Sequence, residues 1–352
     1  MIITRTPYRI SFFGGGTDYP AWSREHGGAV LSTSIDKYAY ISCRHLPPFF
    51  EHHSRVVYSK IELVADNAQI EHPAVRETLR YMGIAEGVEV HYDGDVPART
   101  GVGSSSSFTV GLLHALYALK GLMPSRRQLA EDAILIEQHL IGEHVGSQDQ
   151  VAAAFGGFNR IDFLPGAGFE VAPVILPPAR LQAFAEHLLL VFTGFSRNAS
   201  EVASKQVQAT PHRRAELQAM RAMVDEGLAI VCGQGDLADF GRLLHESWRL
   251  KRSLTDAIST PAIDAIYDAA RSAGALGGKL LGAGGGGFAV FFVRPDDRPC
   301  VVERLAGLTQ VPFSLDTTGS QVIVYQPEAR HEGQAGGPNR RPAASPVALA
   351  AA

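Results

Sequence analysis

The segment PARTGVGSSSS, residues 97–107, places two glycines and four serines directly before an apolar-periodic stretch that predicts a helix over Phe108–Leu119. The first amides of a helix lack intrahelical partners and carry a partial positive charge. Gly101 and Gly103 allow a ligand to approach the backbone closely, and the serine hydroxyls add hydrogen-bond donors. This combination is typical of a phosphate-binding loop. A serine-rich loop that only caps a helix is the structural alternative.

Two carboxylates could supply the other groups that phosphoryl transfer requires. Glu137 lies on a second predicted helix, and Asp149 follows twelve residues later in GSQDQ. Because Gly142 ends that helix, the two side chains can converge only from a helix and its following loop. One would coordinate magnesium, and the other would accept a proton from an attacking hydroxyl. Two unrelated surface carboxylates are the alternative interpretation.

A third glycine-rich segment, GAGGGG at residues 282–287, lies between the predicted strands Lys279–Leu281 and Phe288–Val293. Such a loop can pack against another backbone or line an active site, although a flexible hairpin is also compatible with it. It matches GxGxxG formally, but the dinucleotide fingerprint requires a helix after the loop, and FAVFFV is strand-like. The pattern therefore argues against a nicotinamide dehydrogenase.

Two shorter motifs fail for local reasons. Gly278-Lys279 resembles the end of a P-loop, but Ala273 replaces the first glycine and Leu280 replaces the Ser or Thr. His139 and His144 do not have the HExxH spacing, so a catalytic zinc site is not predicted.

The elements that must position these segments mix strands and helices without strict βαβ alternation, which indicates an α+β fold. The first 45 residues are strand-rich, and a capping box of Ser125 and Gln128 opens the second helix. Helical patterns follow around 199–209, 213–232, 237–250 and 263–273. A Pro- and Gly-rich stretch from Leu164 to Pro178 predicts a boundary between domains at 1–170 and 171–326. Residues 327–352 have the composition of a disordered tail.

The totals restrict the class of protein further. The 352 residues are 45% hydrophobic and 19% charged, which is typical of a globular chain of about two domains. The net charge of −4 disfavours a general nucleic-acid-binding surface. Three cysteines without a CxxC pair fit a reducing cytoplasm. Neither a signal peptide nor a membrane span is expected from the apolar patterning.

Taken together and in this order, the three glycine segments resemble those of the GHMP kinases. TPYRISFFGGGTDYP at residues 6–20 is similar to the N-terminal motif of that family, in its galactokinase-like form. PARTGVGSSSS is similar to its phosphate loop, PxxxGLGSSAA, and GKLLGAGGGGFAVFF to its C-terminal glycine motif. The resemblance covers residues 1 to about 326. It implies an N-terminal domain like ribosomal protein S5 domain 2, a C-terminal GHMP kinase domain, and an active site in the cleft between them.

Within the family the match narrows to the D-glycero-α-D-manno-heptose 7-phosphate kinases, whose similar segments include GSQDQVAAAFGGFNRI and HESWRLKRSL. Galactokinases carry GEHTDY where this chain has GGGTDY, which removes two polar side chains near the sugar and argues against galactose. The resemblance implies ATP-dependent phosphorylation of the anomeric C1 hydroxyl, toward nucleotide-activated heptose. Another sugar kinase, L-fucokinase-like or galactokinase-like, and a non-catalytic ATP and sugar sensor remain open.

The resemblance also implies roles for individual residues. Asp149 would be the general base, and Arg9 would stabilise charge at the transferred phosphoryl group. Magnesium would be held by Ser104 and Glu137. The nucleotide phosphates would be bound by Gly101, Val102, Gly103, Ser104, Ser105 and Ser106. The sugar side would be formed by Asp18, Gly15, Gly16, Gly284 and Gly285.

The phosphate of a phosphorylated sugar requires cationic partners, for which Arg197 and Lys251 are the candidates. Ordinary solvated charge on helices is the alternative for both. The implied cofactors are ATP and Mg²⁺, and the implied partner is a small sugar phosphate, without nucleic acid or membrane. The oligomeric state stays open.

Overall fold

The computed structural model describes residues 1–47, 49–98, 100–166, 168–194 and 199–326. The first half of the chain forms β1 (Ile2–Phe13), α1 (Pro20–His26), β2 (Gly28–His45), β3 (Ser54–Val57), β4 (Ile61–Val64), α2 (Pro73–Met82), β5 (Val88–Gly94), α3 (Ser104–Leu119), α4 (Arg126–Leu135), α5 (Gln148–Phe155), β6 (Phe158–Phe163) and β7 (Phe169–Pro173). The second half forms α6 (Pro178–Glu186), β8 (Leu188–Phe192), α7 (Ala199–Ala209), α8 (Arg214–Cys232), α9 (Ala238–Leu254), α10 (Pro261–Ser272), β9 (Ala275–Leu280), β10 (Phe288–Val293), α11 (Arg298–Arg304), β11 (Thr309–Gln310), β12 (Leu315–Asp316) and β13 (Gln321–Tyr325). Three short 3₁₀ turns lie at Asn67–Gln69, Thr210–His212 and Pro295–Asp297.

Within the described residues the strands form two sheets. The larger has nine strands, ordered β13-β1-β2-β5-β3-β4, with β12 and β6 on β2 and β7 on β6. The smaller has four strands, ordered β11-β8-β10-β9. This mixed topology confirms the α+β prediction. The boundaries predicted at 170 and 326 stay predictions, and β12 and β13 return from the second half to pair with the larger sheet.

Aromatic packing fixes the two halves against each other. Phe12 and Phe13, at the end of β1, are fully buried, because the second half covers the face that would otherwise reach solvent. Phe12 packs edge-on against Phe184 of α6 and Phe240 of α9, with ring centroids 5.5 and 5.4 Å apart. Edge-to-face pairs at this distance add stability beyond the buried area. The end of β1 is thereby held where the three glycine segments meet.

The local predictions hold with some shifts at the ends. The Ser125 hydroxyl accepts the Gln128 N–H at 3.1 Å and caps α4, whereas the Gln128 side chain donates to Asp132 rather than back to the cap. The helix continues past Leu135 as a π-helical turn, Ile136–Ile141, which ends at Gly142 in the left-handed region. No helix in the described part of the chain is long and apolar enough to cross a membrane. The predicted tail at 327–352 lies outside the described residues.

Candidate active site

One cavity between the two halves gathers residues from each predicted motif. Its lining includes eleven of the predicted site residues: Arg9, Gly15, Gly16, Asp18, Gly101, Gly103, Ser104, Ser105, Ser106, Asp149 and Lys251. Four others lie outside the lining. Val102 and Glu137 are buried behind it, while Gly284 and Gly285 pack on the backbone of Ile258. Arg197 lies outside the described residues.

The phosphate loop is held by direct backbone packing against the C-terminal glycine segment. A Cβ on Gly101 would lie 2.4 Å from the carbonyl oxygen of Leu281, and one on Gly282 would lie 2.6 Å from the Cα of Gly101. Real Cβ atoms do not approach so closely, and both residues have positive φ, at 85° and 71°. Only glycine satisfies both conditions. The prediction that GAGGGG packs against another backbone therefore holds at this contact.

The sequence predicts that the serines form a loop ahead of the helix. The structure instead places them in the first turn of α3. Gly103, with φ 79°, is the N-cap, and the first intrahelical bond is donated by Ser107 N–H to Gly103 O at 2.9 Å. The amides of the preceding turn thus have no helical acceptor. Ser104, Ser105 and Ser106 line the cavity, so the positive end of the helix faces it. A phosphate group in the cavity would meet these amides directly.

Arg9 and Asp149 form a bidentate ion pair at the centre of the cavity. Arg9 Nε and Nη2 each donate to one carboxylate oxygen of Asp149 at 2.8 Å, and Nη1 donates to Gly101 O at 2.6 Å. The Arg9 side chain is 4% exposed and that of Asp149 is 26% exposed. Arg9 thus links the phosphate loop to Asp149 and fixes the orientation of the carboxylate, which keeps access to the cavity.

Asp18 is a second carboxylate in the same cavity, buried but hydrogen-bonded. Its Oδ1 accepts the Gly16 N–H at 2.9 Å and its Oδ2 accepts the Gln148 N–H at 3.3 Å. Burial raises the pKa of Asp18, and the charge of Asp149 raises it further. Gly146 packs directly on the carboxylate, since a Cβ there would lie 1.8 Å from Oδ2.

Glu137 lies on the π-helical turn, directly behind the first turn of α3. Its Oε2 accepts a hydrogen bond from the Ser106 hydroxyl at 2.8 Å and another from the Gln150 amide. Its Oε1 is buried without a hydrogen-bond partner among the described residues. Burial raises the pKa of Glu137 to about 7. The Ser106 hydroxyl is hydrogen-bonded to Glu137. Ser104, which was predicted to hold magnesium together with Glu137, lines the cavity.

These residues fit a magnesium ion. Mg²⁺ prefers oxygen ligands and is commonly held by one or two carboxylates together with substrate phosphates. The described residues contain no group of three or more His, Cys, Asp or Glu that could hold a metal. Glu137, with one oxygen lacking a partner, can supply a carboxylate ligand, and the serine hydroxyls can supply neutral ones.

Sequence reasoning missed several residues of the cavity, above all Lys279. This lysine lies on β9 and is 4% exposed, and its Nζ donates to Phe12 O at 3.0 Å. Ser11, Gln148 and Gln206 also line the cavity. A signal existed for the lysines. Lys279 interrupts an otherwise apolar strand, and Lys251 continues the buried stripe of α9. A lysine in either position is almost never buried without a partner.

The fold and this cavity are those expected of a phosphotransferase: a helix N-terminus and an arginine–aspartate pair line the cavity, with a buried glutamate behind them. The family model for the GHMP kinases N terminal domain matches residues 68–157, and that for GHMP kinases C terminal matches residues 226–306. The chain belongs to the GHMP kinases, phosphotransferases with an alcohol group as acceptor and ATP as phosphate donor.

Individual relatives agree with this assignment. The chain is 27% identical over 320 residues to a D-glycero-alpha-D-manno-heptose 7-phosphate kinase of Campylobacter jejuni, covering 86% of this chain and 93% of the relative. It is 24% identical to a bifunctional fucokinase/GDP-fucose pyrophosphorylase of Arabidopsis thaliana, covering 83% of this chain and 30% of that longer protein. A crystal structure of a D-glycero-D-manno-heptose 1-phosphate kinase from Bacteroides thetaiotaomicron shares the fold, with a TM-score of 0.74, 23% identity, and coverage of 93% and 100%.

Proposed function

We propose that this chain is an ATP-dependent sugar kinase that phosphorylates the anomeric C1 hydroxyl of D-glycero-α-D-manno-heptose 7-phosphate. The observation that carries the proposal is the Arg9–Asp149 pair beside the first turn of α3, with Asp18 in the same cavity. The heptose 7-phosphate kinase of Campylobacter jejuni supports the choice of acceptor. We place the reaction in the cytoplasm, where ATP is supplied and the free Cys43, Cys232 and Cys300 stay reduced.

In the proposed mechanism Asp149 takes the proton of the C1 hydroxyl as its oxygen attacks the γ-phosphorus of ATP. A bond forms between the C1 oxygen and the γ-phosphorus while the bond from the γ-phosphorus to the β,γ-bridging oxygen breaks, and ADP leaves with that electron pair. Phosphoryl transfer depends mainly on positioning and on neutralising charge. Arg9 and the amide groups of Ser105 and Ser106 provide that positive potential from fixed positions, so little reorganisation is needed during transfer.

Magnesium, when bound, would neutralise charge on the nucleotide phosphates. Glu137, Ser104 and Ser106 are the residues we propose to hold it. Glu137 also orients the Ser106 hydroxyl through the 2.8 Å hydrogen bond. This contact fixes the side chain of a residue in the first turn of α3.

The glycines at positions 15 and 16 support a sugar other than galactose. A Cβ on Gly16 would lie 2.6 Å from Nε2 of Gln206, so α7 fills the space that a longer side chain would need. A Cβ on Gly15 would make ordinary contacts, the nearest at 3.6 Å to Gln148. Near Gly15 the acceptor therefore meets Gln148 and Ser11, whose hydroxyl donates to Gln148 Oε1 at 2.7 Å. A side chain like that of galactokinase at position 16 would require Gln206 to move.

A kinase of an unphosphorylated sugar is the second candidate, because 83% of this chain also aligns with the Arabidopsis bifunctional fucokinase. A panel of heptose 7-phosphate, heptose, fucose and galactose with ATP separates the two. Turnover of heptose 7-phosphate is expected, and turnover of fucose or galactose alone would refute the acceptor while leaving the kinase class intact.

Asp149→Asn tests the chemistry directly. We expect kcat to fall roughly 10²- to 10⁴-fold, which is the usual contribution of a general base, with ATP binding preserved. Asp296→Asn removes an exposed carboxylate outside the cavity lining and serves as the control. Full activity of the Asp149→Asn variant would show that this residue is not the base. A wild-type protein that binds ATP and sugar without turnover would indicate a sensor.

A further inference from the structure

Two buried lysine side chains reach the cavity, and each donates a hydrogen bond to a backbone carbonyl. Lys251 of α9 and Lys279 of β9 both line it, and each is 4% exposed. Lys251 Nζ donates to Gly282 O and Lys279 Nζ donates to Phe12 O. In the described part of the chain, no Asp or Glu oxygen lies within 4.0 Å of either nitrogen. Burying an ammonium group is costly unless an opposite charge compensates it.

The surroundings of the two lysines disfavour their charged form. Burial and, after it, the nearby Arg9 lower the pKa of Lys251 to about 8. Burial also lowers the pKa of Lys279, with Lys251 and then Arg9 as the next causes. Asp18 acts on both lysines in the opposite direction, and Asp149, which is paired with Arg9, also does so on Lys251. The carboxylates of Asp149 and Glu143 also line the cavity, so its lining charges balance overall. None of these carboxylates lies within 4.0 Å of a lysine Nζ, so an anionic ligand that contacts both lysines would be their direct counter-charge.

The contacts of Lys279 place this lysine on the acceptor side of the cavity. Phe12, which accepts its hydrogen bond, directly precedes the segment 13–18 that contributes Gly15, Gly16 and Asp18 to the cavity. In the proposed mechanism the nucleotide phosphates, in contrast, have the first turn of α3 and Arg9 as partners. Lys251 bridges the two regions, because its acceptor Gly282 packs on Gly101.

We propose that Lys251 and Lys279 together form a subsite for a phosphate monoester on the acceptor sugar. The chain would then require a phosphorylated acceptor, and Lys279, which lies in the segment GKLLGAGGGGFAVFF, would be a specificity-determining residue. This inference rests on the proposed function, because it assumes that a sugar occupies the cavity. Lysine acts at such a site as a compact point charge with several donors.

Steady-state kinetics of Lys251→Gln and Lys279→Gln test the subsite. With heptose 7-phosphate we expect the acceptor KM to rise tenfold or more, with the KM for ATP changed less than threefold. With heptose lacking the phosphate, kcat/KM should change little, so the preference for the phosphorylated acceptor should collapse. Lys120→Gln is the matched control, since Lys120 Nζ also donates to a backbone carbonyl, Met82 O, but outside the cavity lining. Equal losses with both acceptors, or a raised KM for ATP, would overturn the inference.

Calorimetry with inorganic phosphate provides a test that does not depend on turnover. With AMP-PNP saturating the nucleotide site, the wild-type protein should bind one phosphate, and Lys279→Gln should weaken that binding at least tenfold. If heptose 7-phosphate is not turned over but phosphate binds through Lys279, the proposed function fails and the subsite stands. If the wild-type protein binds no phosphate under these conditions, the subsite is refuted, whatever the stability of the variants.

Discussion

The packing of Gly146 on Asp18 gives a sharp prediction, because one added methyl group would act on one carboxylate. In Gly146→Ala the new Cβ would lie 1.8 Å from Asp18 Oδ2, and real contacts are no closer than 3.0 Å. The carboxylate or the segment carrying Gly146 must therefore move by 1.2 Å or more. The backbone of Gly146 is outside the left-handed region, so the clash rather than backbone strain is the cause.

The expected cost follows from the bonds that this movement weakens. Asp18 accepts amide hydrogen bonds from Gly16 at 2.9 Å and Gln148 at 3.3 Å. Movement of the carboxylate would weaken both bonds, and movement of the segment carrying Gly146 would weaken the one from Gln148. A hydrogen bond to a charged group contributes about 1.5–3 kcal/mol. The proposed role of Asp18 in holding sugar hydroxyls then predicts a loss of roughly 10- to 150-fold in kcat/KM for the acceptor.

The assay compares acceptor and nucleotide in the same variants. Gly146→Ala should raise the KM for heptose 7-phosphate while the dissociation constant for ATP, measured by calorimetry, stays within threefold. Gly235→Ala is the matched control, since its Cβ would meet no atom within 4 Å and its φ is also outside the left-handed region. An unchanged acceptor KM in a folded Gly146→Ala protein would refute the reasoning about Asp18.

Two further predictions concern stability. The pKa of Glu137 is about 7 in the folded state and 4.5 when the side chain is exposed, so the folded protein keeps the proton between these pH values. The stabilisation that this protonated side chain gives to the folded state is complete below pH 4.5 and is lost as the pH rises to about 7. In urea denaturation without magnesium, the unfolding free energy of Glu137→Gln should therefore rise by about 3 kcal/mol relative to that of the wild type between pH 4.5 and pH 8. The same dependence of unfolding free energy on pH in both proteins would contradict this. Ser125→Ala removes the hydroxyl that caps α4 and should cost about 1 kcal/mol of unfolding free energy without changing kcat, whereas Ser125→Thr should restore it. An unfolding midpoint unaffected by Ser125→Ala would show that the cap contributes nothing.

Local features were predictable because their causes lie close together in the chain. The cap at Ser125, the end of the helix at Gly142 and the strands on either side of GAGGGG each depend on a few neighbouring residues. The start of α3 was misplaced by four residues, because serines are weak helix formers that also serve as caps. The structure puts them in the first turn, where Gly103 supplies the left-handed N-cap.

The sequence by itself determined the three glycine segments, the mixture of strands and helices, and the candidate phosphate loop. Only the tertiary structure decided which charges meet. Arg9 and Asp149 are 140 residues apart in the chain, and Lys279 reaches Phe12 across 267 residues. In the sequence, Lys279 belongs only to an incomplete P-loop pattern. Its burial arises from the packing of β9 between β10 and α9. Such pairings depend on how distant elements pack, because desolvation and charge compensation are set by neighbours in space rather than in sequence.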